Sequence, residues 1–335
     1  MKLLKPIGYI LLLTVLSLTI AEVTCRIAGL TPYINQTPNR TFKPALPGKI
    51  DSVLGYSWVP GHFVITIGDT FSFSVNHNIQ GRRYSAPDNL NYADSTRSKM
   101  VVLGCSFTDG ECLEDSCTHP FILQQLCDKN NQTIRVENWG VGGYGLTQFY
   151  LQAKEIVKDT AVKYVVLNYS SFQDDRTECS RSRRKSTIPN SRQKSFAHLV
   201  NFPFFTVAHK ELKLQYRTLE YCFLPLQKYS AFIELLDNLY CKWEIRNSTQ
   251  ITKLVLKQTL DMLKKNNKQV FLSGITGDNE TIKVVTEFKN KGYRTILYGI
   301  NTGENKYNLY PIDGHPNYVA NKIFAATIYN SVFEK

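Results

Sequence analysis

The residue types of a nucleophilic hydrolase occur in two short segments that lie far apart in the sequence. Ser106 follows a glycine and an apolar run in residues 100–108, MVVLGCSFT. Asp313 and His315 stand together in residues 313–317, DGHPN. A histidine can take the proton of a nucleophilic serine while an aspartate orients the imidazole, so these residues predict acyl transfer through a covalent intermediate.

The order around Ser106 is strand, glycine turn, serine and helix. A serine in that order lies at the carboxyl end of a strand, where the active sites of open α/β sheets collect. From residue 98 onward apolar strands alternate with helical patterns, which predicts a doubly wound, flavodoxin-like parallel sheet sandwich. The predicted strands are residues 99–103, 134–138, 163–168, 269–273 and 294–298, and the predicted helices are residues 120–127, 147–157, 250–265, 281–291 and 318–332.

Two further regions differ from this alternating pattern. Residues 22–97 predict a small β-rich appendage, with a hairpin formed by residues 62–67 and 70–75 around Gly68 and Asp69. Residues 176–246 interrupt the α/β order. We expect a helical insert there, and we expect its basic run, residues 181–185, to form a solvated loop.

Basic residues exceed acidic ones, 40 to 28, a balance that suits nucleic acid, an anionic membrane or an acidic polymer. The charge is spread along the chain, and no zinc-finger spacing or RNA-binding signature occurs, so no nucleic-acid partner is expected. No metal-binding motif is present either, and we expect no metal and no other cofactor.

The eight cysteines leave their pairing open. Export would permit disulfides. Cys112 and Cys117 could close a small loop, and Cys179, Cys222 and Cys241 share the insert. Sequence alone does not decide between these possibilities.

Residues 1–21 have the pattern of a membrane anchor or an export signal. Lys2 and Lys5 precede an apolar run, residues 6–21, and basic flanks stay in the cytoplasm. The pattern favours a single-pass anchor with the rest of the chain outside the cytoplasm, periplasmic or extracellular. A cleaved signal peptide, which would give a secreted protein, remains the alternative.

Three segments resemble the sequence blocks of the SGNH, or GDSL-like, hydrolase superfamily of esterases, lipases and carbohydrate deacetylases or acetyltransferases. They are residues 104–110 (GCSFTDG), 138–145 (NWGVGGYG) and 313–317 (DGHPN), and the resemblance covers about residues 98–335. It implies that Ser106 is the nucleophile, His315 the general base and Asp313 its partner. It also implies an oxyanion hole that includes the backbone N–H groups of Ser106 and Gly143.

The chain departs from the family blocks at two places. Cys105 stands where the family has an aspartate, so this thiol is a competing nucleophile. We favour Ser106, because the residue before the turn still belongs to the end of the strand. The third oxyanion donor, an asparagine in the family, corresponds best to Gln173, with Asn168 as the other candidate.

Two other functions remain open from the sequence. Gly140, Gly142 and Gly145 also match a dinucleotide-binding pattern, but no acidic residue ends the next strand. The altered blocks are compatible with a glycan-binding module on a decayed hydrolase fold.

The expected function is a serine esterase or acyltransferase that acts on O-acyl esters. The expected substrates are above all the O-acetyl groups of cell-envelope glycans, by analogy with membrane-anchored family members whose appendages resemble this one.

Overall fold

The computed structural model describes residues 4–35, 38–68, 70–87, 97–188, 198–208 and 211–334. The helices in this part of the chain are α1 (Leu4–Ile27), α2 (Ser106–Asp109), α3 (His119–Lys129), α4 (Leu146–Ile156), α5 (Asp174–Thr177), α6 (Arg181–Lys185), α7 (Ala231–Glu244), α8 (Ser248–Lys265), α9 (Asn279–Asn290) and α10 (Tyr318–Phe333). The strands are β1 (Arg40–Lys43), β2 (Gly48–Asp51), β3 (Gly55–Trp58), β4 (Gly61–Ile67), β5 (Phe71–His77), β6 (Ser98–Leu103), β7 (Ile134–Asn138), β8 (Val162–Tyr169), β9 (Asn201–Ala208), β10 (Glu211–Thr218), β11 (Gln269–Gly274) and β12 (Thr295–Leu297).

A five-stranded parallel sheet forms the centre of the molecule, in the order β7-β6-β8-β11-β12. This is the strand order of a doubly wound, flavodoxin-like sheet, which confirms the predicted fold class. The residues of β6 show why the sheet is central. Val101 and Leu103 pack into one apolar cluster and Met100 and Val102 into another, and all four are fully buried.

Helices cover both faces of the sheet. The first cluster includes residues of α4, α8 and α9, and the second includes residues of α3 and α10. With both faces covered, a ligand reaches the sheet at the carboxyl ends of its strands, where the chain turns from strand to helix.

The predicted hairpin is confirmed as β4 and β5, which pair antiparallel, with β1 on the other side of β4. Asp69 of its predicted turn lies outside the described residues. The hairpin packs through Phe63, Phe73 and Val75 on Cys112, which follows the Ser106 turn. Whether residues 22–97 make a separate unit stays a prediction.

The insert is only partly helical, and the expectation of a helical insert is wrong for its central portion. Strands β9 and β10 form an antiparallel hairpin before α7. The alternation in residues 211–217, ELKLQYR, is the strand signal for this segment. Phe202, Phe204 and Phe205 of β9 are buried in the main core, so burial of the aromatic residues favours strand over helix here.

The basic run is a short helix, α6, and not a solvated loop. Arg181 and Lys185 both form ion pairs with Asp237 of α7, which is fully buried, and Lys185 also pairs with Glu234 at 2.7 Å. These acidic partners lie more than forty residues away in sequence, so the run alone does not reveal them.

Helix α1 is long and apolar enough to cross a membrane, with a candidate span of 22 residues, Pro6–Ile27, of mean hydropathy 1.9. A signal sequence would meet the same criterion. All eight cysteines lie in the described part of the chain, and all are free thiols in this structure.

Candidate active site

The turn that carries Ser106 is tight, and Gly104 makes it possible. A Cβ on Gly104 would overlap the side chain of Thr108, so no larger residue fits without displacing the turn. Cys105 is the N-cap of α2, with extended backbone, and its side chain is buried. Ser106 is the first residue of α2 and stands at the carboxyl end of β6.

The structure brings Ser106, His315 and Asp313 together in one hydrogen-bonded chain. The Ser106 hydroxyl lies 2.8 Å from His315 Nε2, and His315 Nδ1 bonds to Asp313 Oδ1. Since Nδ1–H donates to the carboxylate, Nε2 is left to accept the serine proton. This is the arrangement of a nucleophile, a general base and an orienting carboxylate.

The short Asp-x-His spacing works because one carboxylate oxygen serves two donors. Asp313 Oδ1 also accepts the backbone N–H of His315 at 2.9 Å, which fixes the loop around the ring. Burial of Asp313 opposes its charge, but the hydrogen bonds and charge of His315, with Arg40 at 3.5 Å, lower the pKa of Asp313 below its ordinary value. Asp313 is therefore ionised at neutral pH.

Two charged residues beside the site were missing from the sequence interpretation. Glu111 Oε2 lies 3.5 Å from His315 Nε2, and the Glu111 carboxylate also pairs with Arg40 of β1. Arg40 therefore contacts both Glu111 and Asp313. Glu111 follows the nucleophile closely enough to be suspected, but the position of Arg40 depends on how the appendage packs.

The segments that carry the backbone N–H groups of Ser106 and Gly143 pack against each other. Gly142 packs next to Ser106, because a Cβ on Gly142 would lie 3.9 Å from Ser106 Cβ. Gly143 has a φ of +82°, and a side chain there would collide with the Tyr56 hydroxyl and with Arg183. Among the hydrogen bonds of the described residues, none uses the N–H of Ser106 or of Gly143. Both N–H groups thus have no described partner inside the protein, as the donors of an oxyanion hole must.

The backbone carbonyls of Gly142 and Gly143 are both hydrogen-bonded to side chains. Tyr56 donates its hydroxyl to the Gly142 carbonyl at 2.7 Å, and Arg183 donates to the Gly143 carbonyl at 2.8 Å. With both carbonyls engaged, the N–H of Gly143 keeps its orientation. Preorganised donors of this kind stabilise developing negative charge without reorganisation.

The amide of Gln173, the expected third donor, has local partners within its own turn in this structure. Its Oε1 accepts the backbone N–H of Ser170 at 3.2 Å, and its Nε2 points to the Asn168 carbonyl. Ser170 and Gln173 form a capping box, and the Ser-x-x-Gln spacing is the signal that shows this local role. Phe172 instead packs on Phe107 with the two rings tilted, and the Phe107 ring contacts His315, so aromatic rings line this side of the site.

Asn168, the other candidate donor, is buried beneath the turn. Its amide donates to Thr108 Oγ1 at 2.8 Å and lies 3.1 Å from His119 Nε2. The His119 ring bonds in turn to Asn321 of α10, and burial lowers the pKa of His119 to about 4, which keeps it neutral. Asn168 therefore supports the nucleophile turn from below.

The glycines of the dinucleotide pattern are explained by packing. A Cβ on Gly140 would collide with the backbone of Thr108 and Asp109. Gly142 faces Ser106, and a Cβ on Gly145 would lie 2.7 Å from Arg176 Cβ. These contacts account for each glycine by its position around the serine turn, which weakens the nucleotide-binding alternative.

One cluster has the spacing of a metal site. The ligand atoms of Cys112, Asp313 and His315 lie within 4.8 Å of one another. Burial and the charge of Asp313 raise the pKa of the Cys112 thiol to about 12, so the thiol stays protonated. The His315 nitrogens already bond to Ser106 and Asp313. The donor set therefore suits a triad better than a metal.

The chain is similar to solved structures of ester hydrolases. One is a GDSL-like lipase from Bacteroides thetaiotaomicron, at 14% identity and a TM-score of 0.37, covering 70% of this chain and 87% of that one. An acetylxylan esterase from Geobacillus stearothermophilus matches at 12% identity and a TM-score of 0.39, covering 71% of this chain and 95% of that one. A psychrotrophic esterase from Pseudoalteromonas sp. matches at 10% identity and a TM-score of 0.42, covering 70% of this chain and 96% of that one.

No family model matches the sequence, and no curated protein matches it either. The identities and TM-scores of these matches are low, so a function is better argued from the geometry of Ser106, His315 and Asp313 than from the structural similarity.

The identity of the nucleophile can be tested by substituting the two adjacent candidates, Ser106 and Cys105, one at a time. Ser106→Ala should abolish labelling by a serine-directed fluorophosphonate, because the hydroxyl that bonds to His315 is removed. Cys105→Ala should keep the labelling, because the buried thiol has no described bond to His315. Intact-protein mass spectrometry measures both. Labelling that survives loss of Ser106 and disappears with Cys105 would make cysteine the nucleophile.

Asp109 predicts a pH dependence of stability. Burial raises the pKa of Asp109 from 3.8 to about 6, against the charge of Arg83 and a hydrogen bond from Trp58. Between these two pH values the unfolded chain loses a proton that the folded chain keeps. The contribution of Asp109 to stability therefore falls as the pH rises through this window.

Asp109→Asn keeps an acceptor for Trp58 and cannot ionise. The free energy of unfolding of this variant, relative to the wild type, should increase between pH 4 and 6 by on the order of 2 kcal/mol and then level off. Urea denaturation of the detergent-solubilised chain at a series of pH values measures the difference. A difference independent of pH would show that Asp109 titrates normally.

Proposed function

We propose that this chain is an SGNH-type serine esterase or acyltransferase acting through an acyl-serine intermediate. The observation that carries the proposal is the chain of contacts from Ser106 through His315 to Asp313. A decayed binding module has no need of this alignment, since each of the three side chains would be free to change.

The chemistry follows from the positions of these groups. His315 Nε2 takes the Ser106 proton as Oγ attacks the carbonyl carbon of the ester, and the charge on the carbonyl oxygen is bound by the N–H groups of Ser106 and Gly143. The intermediate then collapses, the ester C–O bond breaks, and His315 protonates the leaving alcohol. Water or an acceptor hydroxyl attacks the acyl-serine in the same way, with His315 again as base.

The substrate that we propose is an O-acylated glycan of the cell envelope, with acetyl as the acyl group. Trp58 lies beside Gly142 at the nucleophile, and aromatic faces next to a few polar groups are common in small-molecule sites. The solved structures to which the chain is similar include acetylxylan esterases, among them the enzyme from Geobacillus stearothermophilus.

We also propose that α1 is a single-pass anchor and that the catalytic domain lies outside the cytoplasm. The apolar segment of α1 is exposed from Pro6 to Ile20, which suits lipid, and Lys2 and Lys5 precede it. Basic flanking residues favour a cytoplasmic N-terminus.

A chromogenic acetyl ester tests the enzymatic proposal. The wild type should hydrolyse it, and His315→Ala should lower kcat by about three orders of magnitude or more, because the serine keeps its proton. His62→Ala removes an exposed histidine of the appendage and should leave turnover unchanged. If the wild type retains acetylated glycan without turnover, the chain is the binding module instead.

Reporter fusions after residue 30 test the topology. An export-dependent reporter should be active there, and a reporter that works only in the cytoplasm should be silent, because the positive flank holds the N-terminus inside. The opposite pattern would place the catalytic domain in the cytoplasm.

A further inference from the structure

The last turns of α1 are joined to the start of α7. The Glu22 carboxylate accepts hydrogen bonds from the Ser230 hydroxyl at 2.7 Å and from the backbone N–H groups of Ala231 and Phe232 at 3.1 and 3.0 Å. Arg26 bonds to Glu22 and donates to the Tyr229 carbonyl at 2.9 Å. A carboxylate at a helix N-terminus satisfies donors that have no partner within the helix.

Helix α7 has an exposed apolar face, which no other element covers in the described part of the chain. Leu236, Leu239, Tyr240 and Trp243 have exposed fractions of 42, 52, 49 and 58%. Their spacings of three, one and three residues place them on one side of the helix. The side that packs on the protein carries Ala231, Asp237 and Cys241, which are buried. We call the four exposed residues the α7 stripe.

A membrane that holds α1 must lie close to the start of α7. Glu22, which caps α7, belongs to the candidate span Pro6–Ile27. The start of α7 therefore lies within about two helical turns of the end of the candidate span. Tyr and Trp are the residues that favour the membrane–water boundary, and Arg246 stacks over the Trp243 ring at 4.1 Å. A net charge of +12 adds attraction to anionic lipid.

We propose that the α7 stripe lies in the headgroup region of the membrane, so that the protein contacts lipid through α7 as well as through α1. This rests on the proposed anchor. Amphipathic helices with aromatic and leucine residues on one face and basic residues nearby bind membrane surfaces in this way.

The contact would set the position of the active site as well as the position of α7. Asp237 of α7 binds Arg181 and Lys185 of α6, and Arg183 of the same helix donates to the Gly143 carbonyl. The membrane surface and the oxyanion loop are thus connected through one short helix. The catalytic domain would be held against the bilayer at a defined orientation and would not move freely on a tether.

Trp243 is a natural probe for this contact. The full chain is reconstituted at one copy per nanodisc, in phosphatidylcholine with phosphatidylglycerol and with phospholipids brominated in the acyl chains. The Trp243 signal is the difference between wild type and Trp243→Phe, with Trp58 and Trp139 of the catalytic domain as internal references. We expect the Trp243 emission to shift to the blue and to lose about half of its intensity to the bromines, as for a ring at the interface.

Matched leucine-to-serine and isoleucine-to-serine changes test the stripe itself. Leu236→Ser with Leu239→Ser should weaken the quenching of Trp243. Leu254→Ser with Ile282→Ser removes exposed residues of α8 and α9 and should leave it unchanged.

Flotation with liposomes separates the two proposals. Protein that does not float would overturn the anchor, and the membrane contact of α7 with it. Protein that floats while Trp243 stays unquenched would overturn the α7 contact alone. A blue shift of the Trp243 emission that appears only at two copies per disc, without quenching by the bromines, would overturn the membrane contact and assign the stripe to a second copy of the chain.

Discussion

The hydrogen bond between Ser106 and His315 is the interaction on which the candidate site depends. It joins two loops that lie 209 residues apart in sequence. The doubly wound sheet makes this possible, because all five strands are parallel and their carboxyl ends open on one edge. β6 delivers the serine there, and the loop before α10 delivers the histidine with its aspartate.

The appendage completes this site. The fully buried Arg83 donates to the carbonyls of Asp109 and Gly110 at 2.8 and 2.6 Å and pairs with Asp115. A buried guanidinium is costly unless it is fully paired, so this arrangement holds the segment after the nucleophile in one conformation. Arg40 and Trp58 reach the same segment at Glu111 and Asp109. The N-terminal strands thus support the Ser106 turn directly.

The parallel strands and the triad could be predicted because each has a local signal. A strand buried on both faces is a continuous apolar run, and Ser106, His315 and Asp313 lie in short motifs. The contributions of Arg40 and Arg183 have no such signal, because they depend on how distant segments pack. Gln173 shows a local competitor for the expected donor role: its amide caps its own turn, a hydrogen bond that needs no long-range contact.

Trapping of the acyl-enzyme tests the central claim most directly. The wild-type chain is mixed with an acetyl ester, quenched with acid during turnover, digested and mapped by mass spectrometry. The account predicts an acetyl group on Ser106, in a yield that follows the burst of released alcohol. Turnover with the acetyl group on Cys105, or with no acylated residue in the nucleophile turn, would contradict it.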